Sequence, residues 1–200
     1  MNRKTEILCL HGYGKRRGKQ FLGFVERFEG RFDIYYPDYC ELREDDAKAD
    51  MWMEKAETAL KGCKGEPILV GFSLGAIITA HLALEHKIRK LIMISPAFEY
   101  DRFLEVKRKN PDPAIPEAYL DAFVQIVDRY GEDVGSMDCP ITILHAKEDE
   151  LIPYEASQRI FAHLNSANKK LFLLQGGSHT LLDDPAKKEE VFAILSDELG

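Results

Sequence analysis

Cysteine is scarce in this 200-residue sequence: Cys9, Cys40, Cys63 and Cys139 stand alone, with no Cys-x-x-Cys pair among them. That excludes a disulfide framework and a thiolate metal site by spacing, and scattered thiols of this kind suit a reducing compartment. Positive charge is in deficit too. With 27 Lys and Arg against 34 Asp and Glu, the formal net charge is −7, which argues against a nucleic-acid partner. No apolar stretch approaches the roughly 18 residues needed to cross a bilayer. Only Ile7–Leu10 separate the polar start, Asn2–Glu6, from His11, too short a run for a signal-peptide core. The expectation is a soluble, cytoplasmic protein with no membrane partner. Internal repeats and low-complexity tracts are missing as well.

What is present has the rhythm of one domain, 1–200. A chain of this length buries about 70% of the surface its unfolded form exposes, so it needs neither metal nor disulfide to hold a core. Ile7–Leu10, Phe32–Tyr36, Ile68–Phe72, Leu91–Ile94, Ile141–Leu144 and Leu171–Leu174 are short apolar runs that read as buried strands. Helical spacing lies between them: Phe21, Phe24, Val25 and Phe28; the mostly apolar Met53, Ala56, Glu57 and Leu60; Ile77, Ile78, Leu82 and Leu84; Ile160, Phe161 and Leu164; and Val191, Phe192, Ile194 and Leu195. Strand and helix in alternation predict a six-stranded parallel sheet between two helical layers. From Pro96 to Cys139 the chain runs farther than a crossover helix requires. Phe98–Lys109 reads as a short helix, Asn110–Pro116 as a proline-rich turn, and Tyr119, Phe123, Ile126, Val127 and Tyr130 as a second helix. A connection this long is expected to be a lid, here 96–140.

Gly71-Phe72-Ser73-Leu74-Gly75 matches the G-x-S-x-G turn that presents a serine between a strand and a helix. Strand-like Pro67–Val70 precedes it and helix-like Ala76–Ala80 follows, the context the motif needs. A serine hydroxyl becomes a nucleophile when a base takes its proton. His179, in Gly176-Gly177-Ser178-His179 after the last strand, is the candidate, at the sheet edge where sites in open α/β sheets lie. The imidazole in turn needs a carboxylate. Glu148, Asp149 and Glu150 follow the fifth strand in a row, and their chemistry alone leaves the choice open. His11-Gly12-Tyr13-Gly14 ends the first strand, where the backbone N–H of Tyr13, with that of Leu74, would form an oxyanion hole and His11 would orient the loop.

As a set, HGYG, GFSLG, KEDELIP and GGSHTLLDD resemble the compact bacterial carboxylesterases of the α/β-hydrolase superfamily, and also the small YqiA-type esterases. The likeness covers nearly the whole chain outside 96–140. It implies a reduced, six-stranded α/β-hydrolase fold, a three-layer α/β/α sandwich with a small helical lid. It also selects Asp149 over its fallback Glu148, giving Ser73, Asp149 and His179 as the triad, Tyr13 and Leu74 as oxyanion donors, and no cofactor. Two departures stand out: the strands that usually precede the His-Gly strand are absent, and Ala76 stands where glycine is commoner.

The expected activity is hydrolysis of carboxylic esters of small or medium acyl groups through an acyl-enzyme. The alternatives are an acyl-coenzyme A thioesterase, or a non-catalytic binding protein on the same scaffold. The partner is then a small-molecule ester or thioester. Phe98, Phe103 and Leu104, just past the fourth strand, are the expected acyl contacts. The basic run Lys15-Arg16-Arg17-Gly18-Lys19 would sit at the pocket rim and attract an anionic leaving group.

Overall fold

The computed structural model describes residues 4–14, 18–40, 47–131 and 134–200. Lys15, Arg16 and Arg17 of the basic run lie outside the described residues. The strands are β1 (Thr5–Leu10), β2 (Phe32–Tyr35), β3 (Ile68–Phe72), β4 (Lys90–Ile94), β5 (Ile141–Ala146) and β6 (Lys169–Leu174). They form one six-stranded sheet in the order β2-β1-β3-β4-β5-β6, every neighbouring pair parallel. The helices are α1 (Leu22–Phe28), α2 (Ala49–Gly62), α3 (Leu74–Glu85), α4 (Asp101–Lys109), α5 (Ala118–Tyr130), α6 (Tyr154–His163) and α7 (Lys188–Leu199). Among the described residues no helix is long and apolar enough to cross a membrane.

Because strand side chains alternate, each strand feeds two separate cores. Leu8, Leu10, Leu69, Leu91, Met93, Ile141 and Ile143 face one side and pack with α2, α3, α5 and α6. Ile7, Cys9, Val70, Phe72, Ile92, Ile94 and Leu144 face the other and meet α1 and α7. This is the expected three-layer sandwich. The central helix α3 is buried along almost its whole length, from Leu74 to Ala80 and again at Leu82, so its sequence is apolar all round. In the 96–140 segment, α5 buries Tyr119, Phe123 and Ile126 in the core beside α2 and α3. The shorter α4 turns Phe103 and Leu104 inward and ends in Lys107, Arg108 and Lys109, cations that suit a helix C-terminus.

Opposite the site edge, α7 clamps the start of three strands through one carboxylate. Buried Glu198 accepts hydrogen bonds from Lys90 of β4 (2.6 Å), Thr142 of β5 (2.7 Å) and Lys170 of β6 (2.6 Å). Burial pushes the Glu198 pKa up, but the bonds from Lys170, Lys90 and Thr142 outweigh it and bring the pKa down to about 2. The folded pKa lies below the ordinary value, so this stabilisation is full above about pH 4.5 and is lost as pH falls toward 2. Glu198→Gln should lower Tm at neutral pH by several degrees, on the order of 5 °C. In melts at decreasing pH, the gap to the parent protein should close as Glu198 takes up its proton.

Candidate active site

The site forms at the carboxyl edge of the sheet, where β1, β3, β5 and β6 each release a loop. Ser73 follows β3 directly and takes φ 53°, ψ −116°, a left-handed conformation unusual for a side-chain-bearing residue. Holding it there costs on the order of 1–3 kcal/mol, offset by the surroundings. Its N–H donates to Ile94 O (2.9 Å), and its carbonyl accepts from Ala76 N–H (3.0 Å) and Ala97 N–H (3.3 Å). The flanking glycines are dictated by contact. A Cβ on Gly75 would strike the Leu10 carbonyl, and one on Gly71 would strike Thr79 and the Ala76 backbone. Helix α3 therefore starts hard against β1, with Ser73 at its N-terminus.

Three side chains from distant parts of the chain meet here. The Ser73 hydroxyl lies 2.9 Å from His179 Nε2, and His179 Nδ1 lies 2.8 Å from Asp149 Oδ2. All three residues are buried, and the Phe72 ring packs beside the imidazole at 5.2 Å. With a proton on Nδ1, His179 donates to the carboxylate and keeps Nε2 as an acceptor for the Ser73 hydroxyl. Of the three consecutive acids, Asp149 alone meets the imidazole ring. Glu150 accepts the His179 backbone N–H (3.0 Å), and Glu148 accepts that of Gly176. Asp184 takes the Ser178 N–H at 2.7 Å, so carboxylates hold the histidine loop along its length.

Asp149 has no lone pair to spare. Oδ1 accepts the N–H groups of Leu151 and Ile152, both at 2.8 Å, while Oδ2 faces His179 and also His145 Nε2 at 3.1 Å. Burial works to raise the Asp149 pKa. The hydrogen bonds from His145 and His179, the His179 charge and the Ile152 N–H override it and hold the carboxyl far below the usual range. In the sequence His145 reads only as a residue at the end of the fifth strand. Two signals were available: its place four residues before Asp149, and a strand pattern that turns it inward.

The loop after β1 presses on Ser73. A Cβ at Gly12 would come within 2.9 Å of Ser73 Cβ, so only glycine fits. Gly12 N–H is spent on Gln20 Oε1 (2.8 Å), whereas among the described residues the N–H groups of Tyr13 and Leu74 have no acceptor. Leu74 N–H lies in the first turn of α3, where a helix supplies no internal partner. His11 is buried, stacks on Tyr39 at 4.4 Å and accepts the Tyr39 hydroxyl at its carbonyl (2.6 Å), which fixes the loop's departure from β1.

The Tyr13 ring reaches into the 96–140 segment, edge-on to Phe103 (5.3 Å) and Phe123 (6.0 Å). Phe103 and Leu104 are buried in the core, while half-buried Phe98 lines a groove with Val134, Ala156 and Ile160 toward α6. Phe103→Ala should therefore cost about 3–5 kcal/mol by chemical denaturation. It also removes the ring that backs Tyr13, so any acyl-length effect should be read on the folded fraction. Arg102 of α4 donates to the Asp149 carbonyl (3.2 Å), tying this segment to the acid loop.

This is the α/β-hydrolase fold, and comparison with known proteins agrees. The family model described as serine aminopeptidase, S33, matches residues 112–186, a stretch that contains Asp149 and His179. Among solved structures, a monoacylglycerol lipase from Paleococcus ferrophilus superposes with a TM-score of 0.78 at 18% identity, covering 98% of this chain and 96% of the other. An esterase from Exiguobacterium antarcticum gives 0.77 at 15% identity, with 99% and 92% covered. The 2-hydroxy-6-oxo-6-phenylhexa-2,4-dienoate hydrolase of Rhodococcus sp. strain RHA1 gives 0.70 at 12%, with 98% and 90% covered. At such identities the likeness carries the fold, and the different substrates in these names show that the fold alone does not choose among them.

Proposed function

We propose that this chain is a serine hydrolase that cleaves carboxylic esters of small or medium acyl groups through an acyl-enzyme. The observation that carries the reading is the unbroken chain from Ser73 Oγ to His179 to Asp149, at 2.9 and 2.8 Å, on the strained turn between β3 and α3. Ser73 Oγ attacks the ester carbonyl carbon while His179 Nε2 takes its proton, and Asp149 steadies the imidazolium. The N–H groups of Tyr13 and Leu74 hold the oxyanion, assisted by the positive end of α3. His179 then gives its proton to the leaving alkoxide. Water attacks the acyl-enzyme by the same route and frees Ser73. No cofactor takes part in this scheme.

In this reading 1–200 is a single domain with 96–140 as its lid. Helix α4 and the turn after it cover the site, and Phe103 shapes the acyl side by backing Tyr13, whereas Leu104 lies in the core and Phe98 faces the groove toward α6. The test is a fluorophosphonate probe together with a substrate panel: p-nitrophenyl acyl esters of graded length, acyl-coenzyme A thioesters and aminoacyl p-nitroanilides. Labelling of the parent protein but not of Ser73→Ala, with short and medium esters turned over fastest, supports the proposal. A protein that takes no label and turns over none of the panel would be a binding protein on this scaffold. Preference for the thioesters or the anilides would keep the nucleophile and change the substrate class.

A further inference from the structure

The scheme above uses one imidazole, yet two meet at the acid. His145 sits near the end of β5, and strand alternation turns it to the same face as Ile141 and Ile143, toward α6. It is completely buried. Its Nδ1 lies 2.7 Å from the hydroxyl of buried Ser157 on α6, and its Nε2 lies 3.1 Å from Asp149 Oδ2 and 3.2 Å from Ile152 O. Nε2 thus faces two acceptors, which assigns it a proton, and the Ser157 hydroxyl completes the ring's partners by donating to Nδ1. His145, on β5, and His179, on the loop after β6, consequently donate to the same carboxylate oxygen.

We infer that His145 is a positioning residue of this site, which aims Asp149 at His179 and limits how tightly that carboxylate holds the protonated base. The inference rests on the serine-hydrolase reading. A carboxylate oxygen that already accepts one N–H attracts the next less strongly, so the second donor tempers the partner of the base while preventing the carboxylate from turning away. The other charged groups facing the cluster act on backbone. Arg102 of α4 donates to the Asp149 carbonyl, Glu148 and Glu150 accept from Gly176 and His179, and Asp184 accepts from Ser178. Helix α6 contributes the Ser157 hydroxyl.

Two variants separate positioning from packing. The amide of His145→Gln extends about as far as Nε2 and can still donate to Asp149. The amide of His145→Asn stops near Nδ1 and reaches only Ser157. Hydrolysis of p-nitrophenyl butyrate is measured across pH, with the fluorophosphonate labelling rate of Ser73 alongside and each preparation normalised to its folded fraction. His145→Asn should lose about ten- to a hundredfold in kcat, the effect of one bond to a charged group, with KM little changed. Its acid limb should move to higher pH, because the relieved carboxylate holds the imidazolium more firmly. His145→Gln should recover most of kcat and return the limb toward the parent position. Coincident rates and pH profiles for the two variants would overturn the inference, whether both match the parent or both are equally impaired. If the parent protein is not labelled at Ser73, the hydrolase reading itself falls; if it is labelled and the variants coincide, only the role of His145 falls.

Discussion

Ser73→Ala and His179→Ala are each expected to lower ester turnover by about 10⁴-fold or more, and the double variant to be little worse than either alone. The geometry gives the reason. Ser73 Oγ and His179 Nε2 share one hydrogen bond of 2.9 Å, so removing either end abolishes the proton transfer that the other exists to make. What remains comes from the backbone donors and from binding, which neither substitution touches. Stability should change little in Ser73→Ala, since the alanine keeps the Cβ and the backbone contacts of the turn. Turnover of p-nitrophenyl butyrate, with mass spectrometry of the fluorophosphonate adduct, measures both effects. Retained turnover in Ser73→Ala would end the acyl-enzyme mechanism.

Asp149→Asn is expected to cost about 10³–10⁴ in kcat, because the buried imidazole loses both its counter-charge and its preferred tautomer. The donor count adds a structural penalty. Asp149 accepts two backbone N–H groups on one oxygen and faces two imidazoles on the other. An asparagine presents its NH₂ to one of these pairs, leaving donors against donors in a buried site, so Tm should fall as well. Glu148→Gln and Glu150→Gln should each cost less than about tenfold, since a glutamine oxygen still accepts the Gly176 or His179 backbone N–H. A damaging Glu148→Gln beside a mild Asp149→Asn would transfer the acid role to Glu148. On the acid side the rate should rise with pH, because only the neutral imidazole takes the Ser73 proton.

The sheet was legible because each strand is a compact apolar run ended by a turn former. The expected Ile68–Phe72 is reproduced residue for residue, and β1, β4, β5 and β6 differ only by polar or small residues added at their ends. The layers followed from the alternation of strand with helix, and the crowding at Gly71 and Gly75 from the need to seat α3 against β1. Other features depend on contacts between distant segments and leave little local trace. The spacing of His145 to Asp149 is readable in the sequence, but Ser157 on α6 leaves no local trace, and the apolar neighbours Ile143, Leu144 and Ala146 make His145 read as an ordinary strand residue. The division of labour among Glu148, Asp149 and Glu150 was equally hidden. It is set by the direction each side chain leaves one loop, and the resemblance to known esterases had to choose. Phe103 shows the opposite limit: its spacing marks a helix, but burial beneath Tyr13 is decided by α5, which lies across the proline-rich turn.

The sheet order also governs when the site can exist during folding. Ser73 and His179 are 106 residues apart in sequence, and His179 and Asp149 are 30 apart. Ser73 belongs to the β1–β3 half of the sheet and its two partners to the β5–β6 half, with β4 as the single seam between them. Closing such long loops is slow compared with forming a helix or a turn. An intermediate containing only β1 to β4 would already carry the Ser73 elbow and the Gly12 loop, and it would hold a serine with no base. Under the proposed mechanism, hydrolysis through this site therefore requires that β5 and β6 have joined the sheet.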